Sequence, residues 1–144
     1  MLNASLPLTP QTARGYSPLA LAFVGDSIYE AFIRTKLLLA ANQSAAKLHR
    51  TAVSFVRAGA QALAMQALLP LITEEEADIY KRGRNAKSYT KAKNATVADY
   101  RKATGLEALM GYLYLKEDTK RIIELIKTGL DMAESQKKKG QEQA

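Results

Sequence analysis

The sequence predicts an all-α protein of about five main helices. Apolar residues recur at intervals of three and four, and no stretch alternates as a strand would. Side chains suited to helix N-termini stand directly ahead of those stretches, at Ser17, Ser44, Thr73 and Thr96. The chain has 144 residues, of which 47% are hydrophobic, enough for one domain around one core.

The first helix starts where Ser17 caps and Pro18 takes the first helical position, and its apolar run extends to about Ala40. A second begins after Ser44. Leu48, Val53, Val56, Ala60, Leu63 and Leu68 follow at helical spacing, so one continuous helix is expected up to Pro70. Thr73 with Glu76 forms a capping box, and Glu74 and Glu75 suit the first-turn dipole of a third helix ending near Gly83. The stretch RNAKSYTKAKNAT is polar, basic and aperiodic, and reads as a loop. Thr96, three residues before Asp99, caps a fourth helix to about Leu115, and a fifth runs from about Asp118 to Glu134. Residues 1–16 form an N-terminal extension. Residues 136–144 (QKKKGQEQA) form a basic tail expected to be disordered.

Composition narrows the chemistry. With no cysteine there is no disulfide framework, no catalytic thiol and no thiolate zinc site. No apolar run reaches the ~18 residues of a membrane span, and residues 1–18 lack a secretory signal pattern. The expectation is a soluble, cytoplasmic protein. The net charge of +7 is concentrated. Lys81, Arg82, Arg84, Lys87, Lys91, Lys93, Arg101 and Lys102 face only Asp99 in 22 residues, an excess equal to that of the whole chain. A cluster of this kind suits a polyanion such as nucleic acid, although a solvated surface would look the same.

Two carboxylates sit where a plain core helix would not have them. In LALAFVGDSIYEAFIRTKLLLA, Gly25 costs about 1 kcal/mol relative to alanine, and Asp26 has no basic residue three or four positions away. Glu30 differs, since Arg34 is an ideal partner one turn on. In ATGLEALMGYLYL, Glu107 has Ala103, Thr104, Met110 and Gly111 as helical neighbours. Glycine beside each carboxylate lets two helices approach closely, or lets something else approach the acid. Two such carboxylates meeting at a helix contact would repel without a cation between them. An all-oxygen donor set with a single histidine (His49, itself placed among apolar helical neighbours) favours Mg²⁺ or Mn²⁺ over zinc. Next to a basic stretch, such a site suits metal-dependent phosphodiester hydrolysis. The residues by themselves leave three readings open: a nuclease, an RNA-binding protein without cleavage, and a helical module docking an acidic protein.

Three motifs carry a resemblance to a known family. LAFVGDSIYEAFIR is similar to the signature helix of the ribonuclease III family, with its pattern L-E-F-L-G-D-[SA]. LEALMGYLYL is similar to that family's second acidic motif, D-x-x-E-A-x-x-G-x-x-x-L. KRGRNAKS resembles the basic turn of the Mini-III group, short members lacking the double-stranded-RNA-binding domain. The similarity spans about Pro18 to Met132. It implies that residues 17–135 are a ribonuclease III-type catalytic domain, an all-α homodimer cutting double-stranded RNA with Mg²⁺, for which Mn²⁺ can substitute. For the Mini-III group it implies maturation of the 23S ribosomal RNA precursor, with a ribosomal protein as a further partner.

Carried over position by position, the resemblance assigns Asp26 and Glu107 as the catalytic metal-binding carboxylates and Phe23 as the aromatic that plugs into a partner subunit. Arg84, Asn85 and Lys87 match the basic loop, and Lys81, Arg82, Lys93 and Arg101 extend it as an RNA-binding surface. The pattern departs from the larger family members at three positions. Leu19 and Ala22 stand in place of glutamates, and Thr104 in place of an aspartate, while Asp26 and Glu107 are kept.

Overall fold

Residues 103–113 carry one charged side chain, Glu107, and are otherwise small, apolar or uncharged on every face. A helix apolar all round must be enclosed on all sides, and the rest of the chain is arranged to do that. The computed structural model describes residues 6–87 and 96–143. In chain order the helices are α1 (Pro10–Arg14), α2 (Pro18–Ala40), α3 (Ala45–Val56), α4 (Ala58–Leu68), α5 (Glu74–Asn85), α6 (Val97–Leu115) and α7 (Thr119–Gln143). No strand is present among the described residues. Helix α6 is the central element. Helices α2, α5 and α4 pack directly on it, and α7 closes over α4 and the far end of α6. Tyr29, Ile33, Met65, Leu68, Ile79, Leu106, Leu109, Met110, Leu113 and Ile122 fill the space between them.

The caps expected from the sequence are made. Ser17, Ser44 and Thr96 each accept from a backbone N–H three residues on, and Thr73 and Glu76 form the reciprocal capping box. Asp118 accepts from the Arg121 backbone N–H and caps α7.

Two boundaries differ from expectation. The continuous helix from Ser44 to Pro70 is broken at Arg57, whose backbone is extended (φ −64°, ψ 154°), giving α3 and α4. No glycine or proline marks the break. It is stabilised by the buried Gln61 amide, which donates to the Val56 carbonyl at 2.8 Å and satisfies a helix-end acceptor from five residues away. Helix α7 also runs on past Glu134 to Gln143, so the tail expected to be disordered is helical through that residue. Its exposed turns include a Glu134–Lys138 pair one turn apart. A short helix, α1, capped by Thr9, lies within the N-terminal extension.

An ion pair ties α5 to α7. Arg121 donates from Nε to Glu76 Oε2 and from Nη2 to Oε1, both at 2.8 Å, and the Thr73 N–H donates to Oε1 at 2.9 Å. Burial on its own would raise the Glu76 carboxyl, but the Arg121 and Thr73 hydrogen bonds and the Arg121 charge outweigh it and hold Glu76 below its ordinary 4.5. With a depressed native pKa, the unfolded chain binds the proton more readily, so this stabilisation is complete above about pH 4.5 and lost as pH falls below that. In a pH series of thermal unfolding, Glu76→Gln is therefore expected to be less stable than the parent at neutral pH and to show a shallower acid loss. Parallel acid limbs for the two proteins would contradict it.

Candidate active site

The site is built where α2 crosses α6. A Cβ on residue 25 would lie 1.6 Å from the Glu107 carbonyl oxygen, and one on residue 111 would lie 2.0 Å from the Leu21 carbonyl oxygen. The two backbones are therefore in direct contact and run antiparallel, with Leu21 opposite Gly111 and Gly25 opposite Glu107. Of the two uses for glycine that the sequence left open, close helix approach is the one realised.

That approach places Asp26, on the exposed side of α2, beside the half-buried Glu107 of α6. Glu107 is pushed up to about 9, first by burial, then by the hydrogen bond and negative charge of Asp26. Two carboxylates so close repel unless a proton or a cation stands between them, and a divalent cation binding there displaces the proton. The donor set is oxygen only. No group of three or more His, Asp or Glu side chains able to hold a metal forms among the described residues. Two carboxylates with the remaining positions open to water and phosphate oxygens is the arrangement Mg²⁺ takes.

The neighbouring polar groups are committed elsewhere. Glu30 pairs with Arg34 at 2.6 Å. The Thr104 hydroxyl, at one of the positions where the motif has an aspartate, donates to the Tyr100 carbonyl of its own helix. Leu19 is partly exposed and Ala22 is buried.

The basic end of α5 lies against the adjoining face of the same stretch of α6. A Cβ on Gly83 would be 2.8 Å from the Ala108 Cβ and 2.9 Å from the Gly105 Cα, so the last turn of α5 rests against the turn of α6 that carries Glu107. Lys81, Asn85 and Lys87 are exposed there. Arg84 lies over the Tyr80 ring, 5.6 Å from its centroid, and donates from Nε to Asn85 Oδ1 at 3.2 Å. Arg101 is exposed on α6, six residues and about 9 Å along the axis before Glu107. Lys93, also assigned to this surface, lies outside the described residues, as does Lys91.

Arg82 is placed differently from its basic neighbours. Its half-buried guanidinium donates to the Arg14 carbonyl at 3.1 Å and the Tyr16 carbonyl at 3.4 Å, which ties α5 to the turn leading into α2. Lys102 donates to Gln66 of α4. Sequence spacing cannot reveal such engagements, because the partners are dozens of residues away.

On α2, Phe23 is 81% exposed and Leu19, one turn before it, 38%. A large aromatic left in solvent three residues from Asp26 marks an apolar face adjoining the acidic pair.

A family model described as the ribonuclease III domain matches residues 19–118. The chain is 56% identical over 110 residues to a protein of Enterococcus faecalis named Mini-ribonuclease 3, covering 75% of this chain and 83% of that protein. It is 42% identical over 127 residues to a protein of the same name from Clostridium tetani, covering 88% and 84%. The crystal structure of a Fusobacterium nucleatum protein superimposes with a TM-score of 0.71 at 34% identity, over 79% of this chain and 91% of that one.

Proposed function

The chain belongs to the ribonuclease III family and is an endoribonuclease of that type, and from this premise we propose that it cleaves double-stranded RNA with Mg²⁺ held by Asp26 and Glu107. The observation that carries the proposal is the pairing of these two carboxylates across the Gly25–Gly111 crossing, next to the basic end of α5. When bound, Mg²⁺ (or Mn²⁺, with the same oxygen preference) supplies charge neutralisation at the scissile phosphate and activation of water. Asp26, being exposed, presents its carboxylate to the substrate side, and Glu107 anchors the pair from the packed interior. The touching backbones of α2 and α6 bring the two side chains to the same level.

Lys81, Arg84, Asn85, Lys87 and Arg101 bind phosphates and 2′-hydroxyls of an A-form duplex, reading shape more than sequence. Lys93 belongs to the same surface in this proposal. Arg82 contributes by holding α5 in place as well as by its charge. Reversing the charge of Arg84 and Lys87 is expected to reduce the salt dependence of duplex binding by roughly 0.7–0.9 log units per log unit of salt for each phosphate no longer neutralised. An unchanged slope would remove both residues from the interface.

The proposed substrate is a ribosomal RNA precursor, that of 23S RNA, as the Mini-III resemblance of KRGRNAKS implies. A ribosomal protein that presents this RNA completes the proposal. No helix among the described residues is long and apolar enough to cross a membrane, and the proposed place of action is the cytoplasm. Phe23 and Leu19 support a homodimer in which the α2 faces of two copies meet, giving one site to each strand of a duplex. Sedimentation at micromolar concentration is expected to show a dimer, and Phe23→Asp a monomer.

The experiment for the activity is cleavage of labelled duplex RNA, including 23S precursor stems, with Mg²⁺ and with EDTA. Cutting that EDTA abolishes supports the proposal, and cutting that persists in EDTA overturns the metal assignment. Binding without cutting would leave a duplex-RNA-binding protein.

A further inference from the structure

Among the described residues, two buried side-chain polar atoms lack a hydrogen-bond partner: Gln61 Oε1 and Tyr29 Oη. Such atoms reduce stability, and each one retained calls for a reason. The other end of the Gln61 amide is engaged with the Val56 carbonyl. The phenol of Tyr29 has no such second attachment.

Its place in the fold suggests what it is for. Leu21 lies opposite Gly111 and Gly25 opposite Glu107, so Tyr29, one turn further along α2, is level with α6 one turn before Glu107. Helical side chains lean toward the N-terminus of their own helix. In an antiparallel pair Tyr29 therefore leans back toward the level of Asp26, and Glu107 leans the other way to meet it. The Glu107 carboxylate acts electrostatically on the phenol, which agrees with this placement. Tyr29 is 2% exposed, so a substrate or partner subunit has no access to it. The acceptor must come from within the domain.

We propose that Tyr29 is a positioning residue for the metal site, its phenol O–H donating to the Glu107 carboxylate and fixing the rotamer in which that carboxylate meets a divalent cation. The role rests on reading Asp26 and Glu107 as the metal pair. Without a cation, the Glu107 carboxyl has Asp26 as its polar neighbour. Once a cation takes that place, a carboxylate with about four acceptor sites has one to offer the phenol. Groups that orient a metal ligand typically alter metal affinity 10–100-fold when removed.

The test is Mn²⁺ binding to the full-length protein, followed by the electron paramagnetic resonance signal of free Mn²⁺, for the parent, Tyr29→Phe and Asp26→Asn. Thermal unfolding in EDTA is measured alongside. Tyr29→Phe keeps the ring and removes only the orphan hydroxyl. The expected result is roughly 10-fold weaker Mn²⁺ binding with a melting temperature in EDTA equal to or above that of the parent, a combination a merely structural tyrosine would not produce. If Asp26→Asn loses Mn²⁺ while Tyr29→Phe binds it as the parent does, the role of Tyr29 is overturned and the metal pair stands. If the parent binds no Mn²⁺, or Asp26→Asn binds it equally well, the metal pair fails and the role of Tyr29 with it.

Discussion

Asp26→Asn is expected to lower the rate of duplex RNA cleavage by about three orders of magnitude while leaving the fold intact. The size follows from the several kcal/mol that a metal contributes to stabilising transition-state charge, at 1.36 kcal/mol per tenfold in rate. The fold is expected to survive because the Asp26 side chain is exposed, and the asparagine amide oxygen can still accept from a protonated Glu107. The same substitution should therefore leave the melting temperature in EDTA close to that of the parent, and the Glu107 carboxyl should fall from about 9 as the negative charge beside it is removed. Single-turnover cleavage with Mg²⁺ and thermal unfolding in EDTA check the two halves separately. Cleavage at the parental rate would show that Asp26 does not hold the metal, and a collapsed fold would show that its role is structural.

Gly25→Ala is expected to give the largest loss of stability for the smallest change in volume. The added methyl would sit 1.6 Å from the Glu107 carbonyl oxygen and 2.6 Å from its carbonyl carbon, and also 2.7 Å from the Gly111 nitrogen. These are backbone atoms of the central helix, so no rotamer change can make room and α2 must move off α6. Overpacking typically costs about 1–3 kcal/mol and occasionally more. The better helix propensity of alanine returns at most about 1 kcal/mol. With a clash this deep at the top of that range, a net loss of about 2 kcal/mol remains, which corresponds to a melting temperature roughly 6 °C lower for a chain of this size. Cleavage should fall too, because Asp26 is the next residue and moves with the helix. Gly140→Ala serves as the control, since nothing lies within 4 Å of a Cβ there. Equal melting temperatures for Gly25→Ala and the parent would mean the helices do not touch.

Much of the architecture can be read along the chain because its causes are local. Ser17 with Pro18, Thr73 with Glu76, and Thr96 act over three residues, and each begins a helix where expected. The apolar stretch around Glu107 marks the central helix. The break at Arg57 is not readable because its stabilising bond, from the Gln61 amide to the Val56 carbonyl, follows no helical periodicity. The end of α7 escapes for a related reason. A polar, basic segment offers no packing signal, yet it continues a helix already nucleated by the buried turns before it.

The site divides in the same way. Sequence alone determined that this is an all-α chain with one basic stretch, and that Asp26 and Glu107 each stand beside a glycine in an otherwise apolar helix. Composition and short-range spacing contain those facts. Only the tertiary structure decided that Gly25 and Gly111 face one another, so that two carboxylates 81 positions apart in the sequence come together. It likewise decided that Arg82 serves the Arg14–Tyr16 turn while Lys81 and Lys87 remain exposed, and that the Tyr29 hydroxyl is buried without a partner, within electrostatic reach of Glu107. The physical reason is common to all three. Hydrogen bonds, burial and carboxylate repulsion depend on distances of a few ångströms, and between residues on different helices those distances are set by which backbones can touch.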